Sequence, residues 1–357
     1  MRVEAAWPQA EDPARAGSPA DASAILALDL GASRIRAAVV RPDGVILARS
    51  ARPTPVREGP AAVVAACVAA LDAVRHDAAV GGRPIGGLGI SAPGPLQAST
   101  ATLLEPPNLG PAFRDFRLGE ALAGATGLPV TMERDTNVAA LAEQRFGSAI
   151  GVDDFLYLTV STGIGGAIVA GGRLFTGPDG LAGELGHILV DLDGPPCGCG
   201  ARGHLEAVAS GSGIAAQARR LVADGGARGL AALAQQPDPD ARRGPGEIDA
   251  RLVAAAEAAG DPDAAVLMGA ARRGFAAALV GLVDVFTPHL VIVGGSLAQA
   301  QGERWLTPAR EAVANLAFRE AARRTRVAAA ALGDDVGLVG AVPLLALRSN
   351  GPSGDDR

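Results

Sequence analysis

"YLTVSTGIGGAIVAGG", residues Tyr157–Gly172, looks at first like a dinucleotide-binding loop because Thr162, Gly163, Gly165 and Gly166 cluster in one turn. The residues that follow rule that out. "IVA" is strand-forming where a dinucleotide fingerprint needs the start of a helix. The stretch therefore reads as two strands, Phe155–Ser161 and Ile164–Ala170, joined by a glycine turn. Such a turn lets a phosphate approach bare backbone, and a plain tight hairpin would leave the same signature.

A second copy of the pattern lies upstream. Ile25–Leu30, "ILALDL", turns through "GAS" into Ile35–Val40, "IRAAVV". Asp29 ends a buried strand, where a carboxylate is costly unless it caps a turn or faces a cation. The amides of Gly31, Ala32 and Ser33 would form an anion-binding concavity beside it. The functional reading gives Asp29 to Mg²⁺ and the turn to nucleotide phosphates; the alternative is an ordinary Asx turn. A third glycine pair, Gly294–Gly295, follows the apolar strand "LVIV" and could receive a flat ring such as adenine or simply turn the chain. Two strand–turn–strand units, each followed by α/β segments, imply an α/β protein of two similar halves with a cleft between them.

Composition narrows the chemistry. The chain has 357 residues, enough for two domains, with a net charge of −6 that disfavours nucleic acid and anionic membranes. It contains no lysine, which excludes a Walker A loop and Schiff-base catalysis. Three cysteines are too few for a disulfide framework, so a cytoplasmic protein is expected. The polar start, residues 1–24, reads as a disordered leader, and no later run reads as long and uninterrupted enough to cross a membrane.

Two further stretches carry chemistry. In "TMERDTNVAALAEQRFG", Asp135 falls between a strand and an amphipathic helix, as a helix cap or as a general base at the mouth of the cleft. In "GELGHILVDLDGPPCGCGARGHLEA", His187, Cys197, Cys199 and His204 gather two of the chain's four histidines and two of its three cysteines. That donor set suits a structural Zn²⁺ with four protein ligands. Glu184 and Glu206 bracket the loop and would be held rigidly by it.

With these motifs together, the sequence resembles the ROK family of sugar kinases and sugar-responsive repressors over about Ile25 to Leu347. The resemblance rests on Val160 through "GIGGAIVAGGRLFTGPDGLAGELGH" and the His/Cys loop after it. It implies a two-lobed actin/hexokinase-like ATPase fold of ribonuclease H-like domains. The expected division is a small lobe over 25–134, completed by a closing helix over 335–350, and a larger lobe over 135–334 carrying the zinc loop. The resemblance assigns ATP and Mg²⁺ to Asp29, Gly31, Ser33, Thr162, Gly163, Gly165, Gly166, Gly294 and Gly295. It assigns sugar hydroxyls to Asn108, Glu184, His187 and Glu206, catalysis to Asp135, and Zn²⁺ to His187, Cys197 and Cys199.

Three departures stand out. Arg134 occupies the place of the usual asparagine before the catalytic aspartate; it donates but cannot accept, so a sugar contact must differ. His204 replaces the third cysteine of the zinc site. Ala32–Ser33 replaces Gly–Thr. The implied activity is transfer of the γ-phosphoryl group to a hexose hydroxyl, glucose O6 first, by a homodimer or homotetramer acting on sugar and ATP without nucleic acid or membrane. The rival readings are a sugar-sensing transcriptional regulator and a catalytically weak sugar-binding protein.

Overall fold

The computed structural model describes residues 23–238 and 243–349, so the expected leader lies outside it apart from its last two positions. In the first lobe, β1 (Ala24–Leu30), β2 (Arg34–Val40), β3 (Ile46–Pro53), β4 (Ile85–Ala92) and β5 (Val130–Arg134) form one sheet in the order β3-β2-β1-β4-β5. β1 to β3 are antiparallel neighbours, while β4 runs parallel to β1 and β5 parallel to β4. In the second lobe, β6 (Phe155–Val160), β7 (Ile164–Ala170), β8 (Arg173–Leu174), β9 (Leu290–Gly294) and β10 (Arg326–Ala329) repeat that order as β8-β7-β6-β9-β10. The strand directions repeat as well. The halves inferred from the two glycine turns are thus the same topology used twice.

Each lobe has its own core. The first buries Leu26, Leu28, Ile90, Phe113 and Met132, with one face of the Pro60–Arg75 helix. That helix starts on a proline, whose missing N–H costs nothing there, and its buried Val63, Cys67, Ala70, Leu71 and Val74 recur at helical spacing. The second core centres on Leu156, Val160, Phe275, Val291 and Trp305.

The Pro262–Phe286 helix overturns one expectation: its length and composition would let it cross a membrane. Here Met268, Ala271, Phe275, Leu279 and Val283 bury one side of it in the second lobe's core. Asp261 caps its start by accepting the Ala264 N–H at 2.8 Å.

The chain crosses between lobes twice. The Asp135–Phe146 helix leads from β5 to β6, and residues 330–335 lead from β10 back to the closing helices Val336–Val339 and Ala341–Ser349. Leu338, Val339 and Ala341 pack with Ala27, Ala38 and Val40 of the first sheet and Ala142 of the crossing helix. Fully buried Glu143 ties the two crossings together: Oε1 accepts the N–H groups of Ala331 and Leu332 at 2.9 and 3.0 Å, and Oε2 accepts that of Ser148 at 2.7 Å.

Candidate functional site

A cavity of about 280 Å³ opens in the cleft, lined from both lobes by Asp29, Gly31, Arg36, Ser91, Asp135, Ser161, Gly295, Ser296 and Asp334 among others. Asp29 lies at the end of β1, where Ser91 Oγ donates to its Oδ1 at 2.9 Å. Its Oδ2 accepts from Arg36 Nε and Nη2 at 2.9 and 2.6 Å. A carboxylate this far withdrawn from water needs partners, and it has found three donors. Asp29, Asp135 and Asp334 line the same cavity, but the one group of ligating side chains that converges among the described residues is the His/Cys cluster; Asp29 keeps lone pairs that would suit a water-mediated hold on Mg²⁺.

On the opposite wall Ser161 Oγ and Ser296 Oγ lie 2.8 Å apart, joining the end of β6 to the helix after β9. Gly295 makes that junction possible. Its φ is +92°, and a Cβ there would come within 2.4 Å of the Val160 carbonyl oxygen. Gly294 lies one step deeper, under the Tyr157 hydroxyl, outside the cavity wall. Ser33 is at the exposed tip of the first turn, and Thr162 is exposed on the second.

Asp135 opens the helix that follows β5, and its Oδ1 accepts the Thr136 N–H at 2.7 Å. The cap reading fails: Asp135 is the first residue of the helix, the N-cap position falls to Arg134 and no side chain caps the start, while Asp135 lines the cavity. Its carboxylate is open to solvent within the cleft but enclosed by the lobes on its other sides. That enclosure, followed by the negative charge of Asp29, pushes its pKa up to about 6, against the opposing pull of the Thr136 amide and Arg134.

Beside it, buried Arg134 reaches across to the second lobe. Nη1 donates to Glu184 Oε1 at 2.6 Å and Nη2 donates to the Ala182 carbonyl, while Nε has no acceptor. Glu206, from the Leu205–Ala209 helix, accepts the Ile164 N–H at 2.9 Å. Gly163 leaves room for it, since a Cβ there would meet Glu206 Oε2 at 2.5 Å. Glu206 thus links the His/Cys loop to the second glycine turn. Asn108 stands exposed on the loop after β4 and hydrogen-bonds to no described residue.

His187, Cys197, Cys199 and His204 converge, their ligand atoms all within 4.8 Å of one another. His187 Nδ1 lies 3.3 Å from His204 Nδ1 and 3.8 Å from Cys197 Sγ, and Cys199 Sγ lies 3.3 Å from His204 Nδ1. Ligands about 2.0 to 2.3 Å from a tetrahedral zinc sit at roughly such separations from each other.

Arg36, Ser91, Ser161, Ser296, Asp334 and Glu143 carry no motif of their own. Only Arg36 had an available signal, since the hairpin register that pairs Leu30 with Ile35 also pairs Arg36 with Asp29.

The duplicated sheets and the cavity between them define the actin/hexokinase-like ATPase fold. Residues 25–348 match the family model of the ROK family, and the chain belongs to that family. It is 32% identical to the glucokinase of Thermotoga maritima over 92% of this chain and 98% of that one. To an N-acetylmannosamine kinase of Escherichia fergusonii it is 38% identical over 73% of this chain and 87% of that one. A ROK family glucokinase from Streptomyces griseus, solved in complex with glucose and AMPPNP, is similar with a TM-score of 0.74 and 34% identity, covering 90% of this chain and 99% of that one.

Proposed function

We propose that the protein is an ATP-dependent sugar kinase that phosphorylates a hexose hydroxyl, glucose O6 first and N-acetylmannosamine O6 second. The observation carrying this reading is the place of Asp135. Its carboxylate faces the cavity lined by Asp29 and Gly295, and the adjacent Arg134 holds Glu184 on the other side. A base between a phosphate space and a polar cluster is what in-line phosphoryl transfer to an alcohol needs.

In this mechanism Arg134, Glu184, His187, Glu206 and Asn108 grip the sugar. Asp135 takes the proton of the attacking hydroxyl as its oxygen bonds to the γ-phosphorus and the bond to the ADP oxygen breaks. The backbone of Gly31, Gly163 and Gly295 lines the path of the phosphates. Mg²⁺ held near Asp29 would neutralise phosphate charge, and closure of the lobes would keep water from competing as acceptor. The Zn²⁺ proposed for His187, Cys197, Cys199 and His204 is structural: with four protein ligands it would have no open position, and it would fix the loop that follows Glu184 and His187 and leads into the helix of Glu206.

The test is an ADP-release assay over glucose, mannose, fructose, N-acetylglucosamine and N-acetylmannosamine. ADP formation dependent on one of them is expected. Sugar binding with no ADP from any of them would replace the kinase reading with that of a sugar sensor.

A further inference from the structure

The cavity sets an electrostatic problem. Three carboxylates, Asp29, Asp135 and Asp334, line a space that, on the reading above, takes a phosphate chain of several negative charges. Like charges brought this close in a partly enclosed space repel strongly. Among the residues lining it, Arg36 is the one permanent cation.

Its position follows from the hairpin. Asp29 and Arg36 are direct cross-strand partners of β1 and β2, so both side chains stand on the same face. Arg36 gives Nε and Nη2 to Asp29 and Nη1 to the Asp334 carbonyl at 2.5 Å. A guanidinium carries five N–H donors, so two remain without an acceptor among the described residues, and the side chain is 29% exposed. Asp29 and Asp334 fix the guanidinium from two sides, which leaves it pre-oriented rather than free to swing away.

We propose that Arg36 is a phosphate-binding residue of this cleft: its two unused N–H groups bind oxygens of the nucleotide's β- and γ-phosphates, so the cavity holds a phosphate chain even without a divalent cation. Planar, fixed donors are well matched to phosphate oxygens, and in a chain without lysine arginine is the residue available for the task. The proposal rests on the kinase reading for the identity of the ligand, but its test does not use turnover.

The experiment measures binding of inorganic tripolyphosphate to the full chain by calorimetry in EDTA. Arg36→Met should bind at least about tenfold more weakly than the unaltered protein, the loss expected for a charge-assisted hydrogen bond, and Arg36→Lys should fall between them. Asp29→Asn should bind more tightly, because it removes a repelling charge and leaves the guanidinium in place. A purely structural Arg36 predicts no such opposed changes.

Because Arg36→Met strands Asp29, the comparison of Asp29→Asn with Asp29→Asn/Arg36→Met gives the same contrast without an orphaned carboxylate. Equal affinities in that pair overturn the proposal, as does failure of the unaltered protein to bind tripolyphosphate. Loss of binding in the double variant, in a protein that yields no ADP with any sugar, leaves the phosphate site standing and removes the kinase reading alone.

Discussion

Acidifying the assay from pH 7 to pH 5 separates a tuned base from an ordinary carboxylate. The Asp135 carboxyl is raised from 3.8 to about 6, first by enclosure between the lobes and then by the charge of Asp29. The carboxylate form needed to accept the hydroxyl proton therefore falls from about nine-tenths at pH 7 to about one-tenth at pH 5, and kcat/KM should drop about tenfold. An unshifted aspartate would lose less than roughly a tenth over the same range.

The assay is initial-rate ADP formation at limiting sugar, with far-UV circular dichroism at both pH values to show the fold intact. A flat profile over this range, or an acid limb centred near pH 4, would refute both the assignment of Asp135 as base and the enclosure argument. Linkage gives an independent sign. Between about pH 4 and 6 the folded chain keeps a proton that the unfolded chain has released, so this contribution to stability is full below pH 4 and is lost as pH rises through 6.

Asp135→Asn should still bind sugar in a calorimeter but turn over at least about 10²-fold more slowly, since only the proton acceptor is removed. Glu184→Ala should destabilise more than Arg134→Met: the first strands a guanidinium only 4% exposed, the second removes the buried charge altogether. Water reaches the half-exposed Glu184 side of the pair, so the first cost is about 1–3 kcal/mol rather than the full penalty of breaking a buried pair, and urea unfolding of both variants measures it. Protein purified without added metal should carry close to one zinc per chain, and Cys197→Ser should lose it and lower the thermal midpoint by several degrees.

The strands were legible wherever a sheet buries an apolar run next to a glycine turn. β7 falls on the residues read from sequence, Ile164–Ala170, and the repeated hairpins revealed the two lobes. Errors arose where tertiary partners take over a backbone group. The apolar pattern of Arg326–Leu332 reads as one strand, but the strand stops at Ala329, and Glu143 takes the Ala331 and Leu332 amides that a longer ladder would have used. "LVIVGGS" reads as a strand through Ser296, but the strand ends at Gly294 because Ser296 already begins a helix.

At the site, residues with a local signature such as Asp29, Asp135 and the His/Cys cluster could be named in advance. Ser91 and Asp334 could not. They meet Asp29 and Arg36 only through β4 lying beside β1 and through the chain's return from the second lobe. For Arg134 the sequence showed only that a family asparagine was missing. Its grip on Glu184 and Ala182 needs the folded interface.

The Glu143 clamp has a mechanical consequence. Because one carboxylate fastens the returning strand of chain to the outgoing helix, the lobes share a single double-stranded pivot at the back of the molecule instead of two independent tethers. A pivot of that kind resists twisting and shear but permits a bending motion, which would direct any movement of the lobes into opening and shutting at the front, where Asp135 lines the cavity.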